Sequence, residues 1–491
     1  MSLAGSLLTL TSRHMSQYSS TVPVVTPAPP VLSPPHTATR YTPGFKQTQR
    51  TWMDEVRNPA RKMGLVAIYA FFFLRFTDLH LIIAAKTGFP NYLLYFAAFP
   101  AILGLLLSGG LRRAFRLTAS WYLLAFAVLM AAASVFSTWR GGSIPLTWTY
   151  FRTTWICFLF LAGLIMTWKE LWRMLQLIGL CAAVNVLLGA VLEVDYDLTG
   201  RSGVEFGTYS NPNDFAAVLI LILPFLVLVA FTPKRNIVVR LAAGAFFLAG
   251  FYRALASGSR GAMVAIAIAS LYFVAKLPLR LKVPALLGGF LICLVTIIVL
   301  PKVVVQRLGT LESGSDVSTV ESVESTEARK QLLQKSLLYT ALHPIFGVGP
   351  GEFGDYEGRR TKEETGHKGQ WQETHNTYTQ VSSEIGIPAL ICYLMAIGSS
   401  YKLVRRVYQS TKRRRPAPEL KKLNMAALTL LVSMVGFCAA IFFTNFAYFY
   451  FVPALVGLAV VLTEVTEHDF HIPLGTSTRF RHDRESMAAV A

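Results

Sequence analysis

The feature that most limits what this chain can become is the recurrence of apolar runs of roughly 20 residues, the length a helix needs to cross the ~30 Å hydrocarbon core of a bilayer. Such runs lie near 63–83, 91–108, 118–136, 149–167, 171–192, 214–231, 237–256, 261–276, 283–300, 385–403, 424–443 and 446–462. In lipid, backbone N–H and C=O groups must be satisfied inside the segment that carries them, so runs of this kind read as helices. Composition points the same way, with 53% of the 491 residues hydrophobic and 15% charged, far from the usual soluble range. The expected fold class is an all-α integral membrane protein with about twelve transmembrane helices and one large, partly helical extracytoplasmic loop.

A formal net charge of +19 does not make this a nucleic-acid binder, because Lys and Arg fall in short clusters between the apolar runs instead of on one basic face. The clusters are Arg112, Arg113 and Arg116; Lys169 and Arg173; Lys234 and Arg235; Lys276, Arg280 and Lys282; and Lys412-Arg-Arg-Arg415. They occupy alternate loops. Cations are retained on the cytoplasmic side, so all these loops share that side if both termini are cytoplasmic. The expected divisions are a disordered cytoplasmic tail over 1–62, Pro-rich from Pro23 to Pro35; membrane helices over 63–300; an extracytoplasmic loop over 301–383; membrane helices over 384–462; and a cytoplasmic tail over 463–491. A loop of about 80 residues is too long for a simple connector and calls for a function of its own. The five cysteines lie in apolar stretches as small hydrophobes, and neither a disulfide framework nor a metal cluster is expected.

Within that loop, Glu312 to Glu327 is rich in Ser and Glu, and Ala328 to Tyr339 has the apolar spacing of an amphipathic helix, suited to lying along the membrane surface. The segment His343-Pro-Ile-Phe-Gly-Val-Gly-Pro-Gly-Glu-Phe353 then demands a tight backbone path. It is not a nucleotide-phosphate loop, since it lacks a preceding strand and the Lys-Ser or Lys-Thr ending, and it faces away from cytoplasmic ATP. The loop closes on Thr374-His-Asn-Thr-Tyr-Thr-Gln-Val-Ser-Ser-Glu-Ile-Gly386, where Thr374 is positioned to cap a helix and hold His375 where membrane meets water. Imidazole suits proton removal near neutrality.

Arg260, in Ser257-Gly-Ser-Arg-Gly261, sits in a small-residue turn between two apolar runs, as a snorkelling boundary charge or as an anion ligand, since guanidinium pairs bidentately with phosphate. Arg329, on the amphipathic helix, reads either as part of a solvated face or as a second anion ligand, and Arg253 shares a face with Arg260 only if the helix between them is continuous. Arg201, in Gly200-Arg-Ser-Gly203, and Asn213, in the helix start Asn211-Pro-Asn-Asp214, come from a second outer loop; Asn376 follows His375 directly. In the first apolar run, Arg75 and Asp78 are three residues apart and are expected to form an internal ion pair.

Taken in order, Asn211-Pro-Asn213, Ser259-Arg-Gly261, Arg329, the His343 to Gly351 turn, His375-Asn376 and Glu384-Ile-Gly386 resemble the O-antigen ligase and O-antigen polymerase superfamily of bacterial polysaccharide-assembly membrane proteins, over about residues 60–465. The resemblance implies transfer of a glycan from an undecaprenyl-diphosphate carrier to an acceptor hydroxyl outside the cytoplasmic (inner) membrane, without metal or other cofactor. Lipid A-core, another lipid-linked glycan or a protein are the acceptors its branches use. It further implies that His375 is the general base and that Arg260 and Arg329 engage the diphosphate; Arg201, Asn213, Arg253 and Asn376 are further candidates for substrate contact. The chain departs from the commonest pattern in its Ser/Glu-rich insert and in Pro388, where glycine is frequent. A transporter or flippase of lipid-linked saccharide, or a non-catalytic assembly subunit, is the competing reading. A transporter would concentrate its ionisable groups and broken helices near the bilayer midplane.

Overall fold

The computed structural model describes residues 52–88, 92–196, 201–204, 207, 211–302, 304–305, 317–366, 372–414 and 417–475. The expectations for the two tails therefore fall largely outside the described residues, as does part of the Ser/Glu-rich segment. The chain runs as α1 (Pro59–Thr77), α2 (Leu79–Thr87), α3 (Leu93–Leu107), α4 (Gly110–Ala114), α5 (Thr118–Val135), α6 (Arg140–Thr149), a π-helical turn (Tyr150–Trp155), α7 (Ile156–Leu164) and α8 (Trp168–Val191). A hairpin of β1 (Glu193–Tyr196) and β2 (Arg201–Val204) follows, then α9 (Pro212–Ala230), α10 (Ile237–Ala256), α11 (Arg260–Lys276) and α12 (Leu279–Val299). The large loop contributes α13 (Val317–Leu342), α14 (Phe353–Thr365) and α15 (Thr377–Glu384), and the chain returns through α16 (Ile387–Lys412), α17 (Pro418–Ala440) and α18 (Phe451–His468).

Every expected apolar run is helical, but eight helices are long and apolar enough to cross a membrane, or nine if α1 and α2, bent by 69° at Asp78, count as one span. The expected twelve is thus not reproduced by helix length among the described residues. The physical reason is local: α3 has 15 residues and α11 has 17, while the run near 149–167 is divided between the π-helical turn and the nine residues of α7. The all-α expectation needs one amendment, the antiparallel hairpin in which Glu193 pairs with Val204 and Tyr196 with Arg201.

The centre of the bundle is α18, 94% buried, enclosed by α5, α7, α8 and α16. From Phe451 to Leu462 its residues are apolar all round, as a helix surrounded by other helices requires, and buried polar residues (Thr463, Glu464, Thr466 and Glu467) enter only in its last turns. At the other extreme α12 is only 6% buried and presents Leu286, Leu287, Phe290, Leu291 and Ile298 outward, the pattern of a helix facing lipid. One end of the bundle is tied by buried arginines. Arg61 donates to both Glu170 oxygens (2.8 and 2.9 Å) and to the Leu164 carbonyl (2.8 Å), while Arg113 reaches the Gly163 carbonyl (2.7 Å) and Glu55 (3.0 Å). Glu170 also accepts from the Met166 and Thr167 N–H groups that open α8. The expected Arg75–Asp78 ion pair does not form. The chain kinks at Asp78, which takes φ 49°, and the Arg75 guanidinium lies 4.6 Å from the Tyr450 ring centroid.

Candidate functional site

The glycine-rich turn after α13 is fixed by its own backbone. Val348 N–H donates to the Ser383 carbonyl (2.8 Å), Gly349 N–H to the Glu384 carbonyl (3.0 Å), and Ile387 N–H returns a bond to the Pro344 carbonyl (2.8 Å). Gly351 N–H is taken by the Glu384 side chain at 2.9 Å. These N–H groups are spent on protein oxygens, which gives the rejected phosphate-loop reading its structural reason. The docking needs glycine on both sides: a Cβ on Gly347 would lie 2.3 Å from the Glu384 carbonyl carbon, and one on Gly386 2.1 Å from the Ile345 oxygen. A small core of Leu332, Tyr339, Val348 and Phe353 then holds α13 against the start of α14. The apolar stripe of α13 packs in part inside the loop, and does not lie wholly on a membrane surface as its amphipathic spacing predicted; Leu337, Leu338 and Leu342 remain exposed.

His375 stands immediately before α15. The expected cap, Thr374, is not the cap: its hydroxyl bonds Asn445 Oδ1 (2.9 Å) and the Asn376 carbonyl (3.2 Å). Asn376 caps instead, its Oδ1 accepting from Tyr378 N–H (2.9 Å) and Thr379 N–H (3.2 Å), so the side-chain oxygen of this substrate-contact candidate is already committed. His375 is left just outside the helix with φ 49°, a left-handed backbone that non-glycine residues seldom adopt. The flanking residues are sewn to the connector over 441–450. Thr377 N–H donates to the Ile441 carbonyl (3.0 Å), the Thr377 hydroxyl to the Thr444 carbonyl (2.7 Å), and Phe446 N–H to that same hydroxyl oxygen (2.8 Å).

Burial first, and the Arg329 guanidinium second, hold the His375 imidazole well below its ordinary range, at about 4. The Arg329 charge is also felt by Asp214 in the first turn of α9, together with that of Glu373. His375, Arg329, Asp214 and Glu373 thus form one electrostatic cluster drawn from α9, α13 and the approach to α15. At neutral pH the imidazole is uncharged.

Arg260 opens α11 after the Ser259 cap, whose Oγ accepts from Ala262 N–H (3.3 Å). Its neighbour Gly261 lies under Phe443, close enough that a Cβ would meet the ring at 2.5 Å. The Arg260 turn and the His375 segment therefore dock on the same connector. Arg253 is in the last turn of α10, separated from Arg260 by the break at 257–259, so the condition for a shared helical face is not met; its Cδ lies 4.0 Å from where a Cβ on Gly189 of α8 would stand. Arg201 is in β2, which packs against α8, α9 and α10, and Asn213 is in the first turn of α9, where its N–H bonds Asn211 Oδ1 (2.9 Å). Arg201, Asn213 and Arg253 thus come from mutually contacting elements.

Asp214, Glu373, Glu384 and Tyr448 were not singled out from the sequence. Asp214 read there as an ordinary helix start, and Glu384 as one piece of a motif. A groove of about 490 Å³ over α14, lined by Thr138, Tyr356, Arg359, Arg360, Glu363 and Glu364, contains none of the expected site residues. Among the described residues no group of three or more His, Cys, Asp or Glu side chains is arranged for a metal ion. No curated protein matches the chain. Residues 245–394, which hold Arg253, Arg260, Arg329, His375 and Asn376, match the family model described as O-antigen ligase.

Proposed function

We propose that the protein is a membrane glycosyltransferase that transfers or polymerises a glycan from an undecaprenyl-diphosphate carrier onto an acceptor hydroxyl, needing neither metal nor nucleotide. His375 takes the proton of the acceptor hydroxyl as its oxygen attacks the anomeric carbon. The bond from that carbon to the diphosphate oxygen breaks, and the electron pair leaves with the carrier diphosphate, whose growing charge Arg260 and Arg329 stabilise. Attack opposite the leaving group inverts the anomeric configuration. Arg201, Asn213 and Arg253 lie on elements suited to further contacts with the donor.

The observation that carries this reading is that the His375 segment, its imidazole under the influence of the Arg329 guanidinium, is anchored to the connector that also covers the Arg260 turn. Such a pair can accept a proton and hold an anion in one place. General-base assistance contributes about 10²–10⁴ in rate. Lipid A-core, a second lipid-linked glycan or a protein would serve as acceptor. The protein is read as a multi-pass component of the bacterial cytoplasmic membrane with both termini inside, the loop over 301–383 and the site on the outer face. The test is transfer by the purified full-length protein from a lipid-linked oligosaccharide to each acceptor class, wild type against His375→Asn. Asparagine tolerates the left-handed backbone, so undiminished transfer by that variant would remove His375 from the chemistry.

The competing reading as a transporter draws on the 69° break at Asp78, since broken helices are a transporter feature. Flipping of a fluorescent lipid-linked saccharide in proteoliposomes, with no covalent transfer to any acceptor, would favour it.

A further inference from the structure

Glu384 is where separately built pieces of this end of the fold converge. It closes α15 and is 4% exposed. One carboxylate oxygen accepts the Gly351 N–H (2.9 Å) and the Tyr448 hydroxyl, while the Glu384 main-chain oxygen accepts from Gly349. Tyr448 belongs to the 441–450 connector, and its own carbonyl receives the Thr154 hydroxyl from the π-helical turn at 3.0 Å. The same connector grips Thr374, Thr377 and Gln380 around His375 and covers Gly261 beside Arg260. A single buried carboxyl therefore joins the glycine turn, the helix that follows His375, and the connector that touches the Arg260 turn. No step of the proposed chemistry uses it.

We propose that Glu384 is a positioning residue for glycan transfer, pinning the His375 segment, the glycine turn and the Arg260 turn in one register. The proposal rests on the reading of His375 as the base. Its physical content is that proton removal and diphosphate binding are useful only when their groups are held together. Displacement of a catalytic group by about 1 Å costs on the order of 10²-fold in rate. Glu384 is suited to the task because one of its carboxyl oxygens accepts from both the glycine turn and the connector where they meet. Facing it are the Tyr448 hydroxyl, the Gly351 and Phe353 N–H groups and, at longer range, the Glu373 carboxylate. Burial pushes the Glu384 carboxyl up to about 8, so the group is largely neutral at pH 7 and an amide of the same length is a fair replacement.

The test compares wild type, Glu384→Ala, Glu384→Gln and Tyr448→Phe as full-length protein in proteoliposomes, with an undecaprenyl-diphosphate-linked oligosaccharide as donor. Two measurements are made, transfer kinetics and amide hydrogen exchange over 343–351 and 373–384. Glu384→Ala is expected to lower kcat by about 10²-fold, with the donor KM changed less than about threefold, and to speed exchange in both segments. Glu384→Gln should restore kcat to within about threefold of wild type, because it keeps an acceptor oxygen for Gly351 and Tyr448. Tyr448→Phe, which removes one hydroxyl from an otherwise intact core, keeps the test open should the alanine variant fail to fold. It should lower kcat by about tenfold and raise exchange over 373–384. Unchanged exchange and kcat in the Ala or Phe variants would overturn the proposal, as would a Gln variant as impaired as the Ala variant. Failure of the underlying reading looks different: His375→Asn would then transfer like wild type, while the exchange data would still report whether Glu384 is the pin.

Discussion

An imidazole held at about 4 rather than near 6.5 makes a quantitative demand on the pH dependence of transfer. A general base works when unprotonated, so lowering its pKa extends activity toward acid. At pH 5.5 an imidazole of pKa about 4 is roughly 97% neutral, whereas an unperturbed one is roughly 9% neutral. Between pH 7.5 and 5.5 kcat/KM should therefore change by less than about 10%, against a roughly tenfold fall for an ordinary histidine. Replacing Arg329 by Gln removes the second of the two causes, so the acid limb should move to higher pH, whatever the variant loses in absolute rate. A bound donor would act in the same direction, because its diphosphate brings negative charge beside Arg329 and His375. The acid limb of kcat should then lie at higher pH than that of kcat/KM, since the first reports the complex and the second the free protein. Initial rates of transfer in proteoliposomes across pH 4.5–8 measure all three. A wild-type kcat/KM midpoint near 6.5, or an Arg329→Gln profile with an unmoved limb, would refute the assignment of this environment to the working base.

Four further expectations follow from packing, capping and the direction of attack. Arg61→Ala should lower stability by about 3–5 kcal/mol, because Glu170 would stay buried without its cation; thermal unfolding in detergent reads this, and an unchanged midpoint would contradict it. Asn376→Ala should cost about 0.5–2 kcal/mol through loss of the α15 cap while leaving the donor KM unchanged, whereas a raised KM would restore this residue as a substrate contact. Gly386→Ala puts a Cβ 2.1 Å from the Ile345 oxygen at φ 100°, so transfer should be lost with undocking of the glycine turn, seen as faster amide exchange over 343–351. The product linkage should have the opposite anomeric configuration to the donor, and a retained configuration by NMR would rule out single in-line attack.

The membrane class and the apolar helical runs were legible from run length, because that signal is a direct image of the bilayer, whereas the polar α14 gave no such signal. What run length could not give was where helices break. The kink at Asp78 and the π-helical turn at Tyr150–Trp155 interrupt runs that look continuous as composition. In the site, His375 and the arginines stood out because charge and imidazole are rare in such a chain. Glu384 and Tyr448 did not, since their importance lies in contacts to residues 33 and 64 positions away, which a linear reading does not bring together. Thr374 and Asn376 are both good cap residues, and what decides between them is where the helix starts: α15 begins at Thr377, directly after Asn376 and three residues after Thr374.

The shortness of α11 has a consequence for the lipid around it. Seventeen residues rise about 26 Å, a few Å less than the ~30 Å hydrocarbon core. If α11 crosses the bilayer with Lys276 at one interface, its opposite end, which carries Arg260, falls short of the level reached by the longer helices, and the adjoining leaflet would thin to meet it. On the proposed reading of Arg260 as a diphosphate ligand, that thinning would lower a carrier headgroup toward the guanidinium before any sugar is recognised.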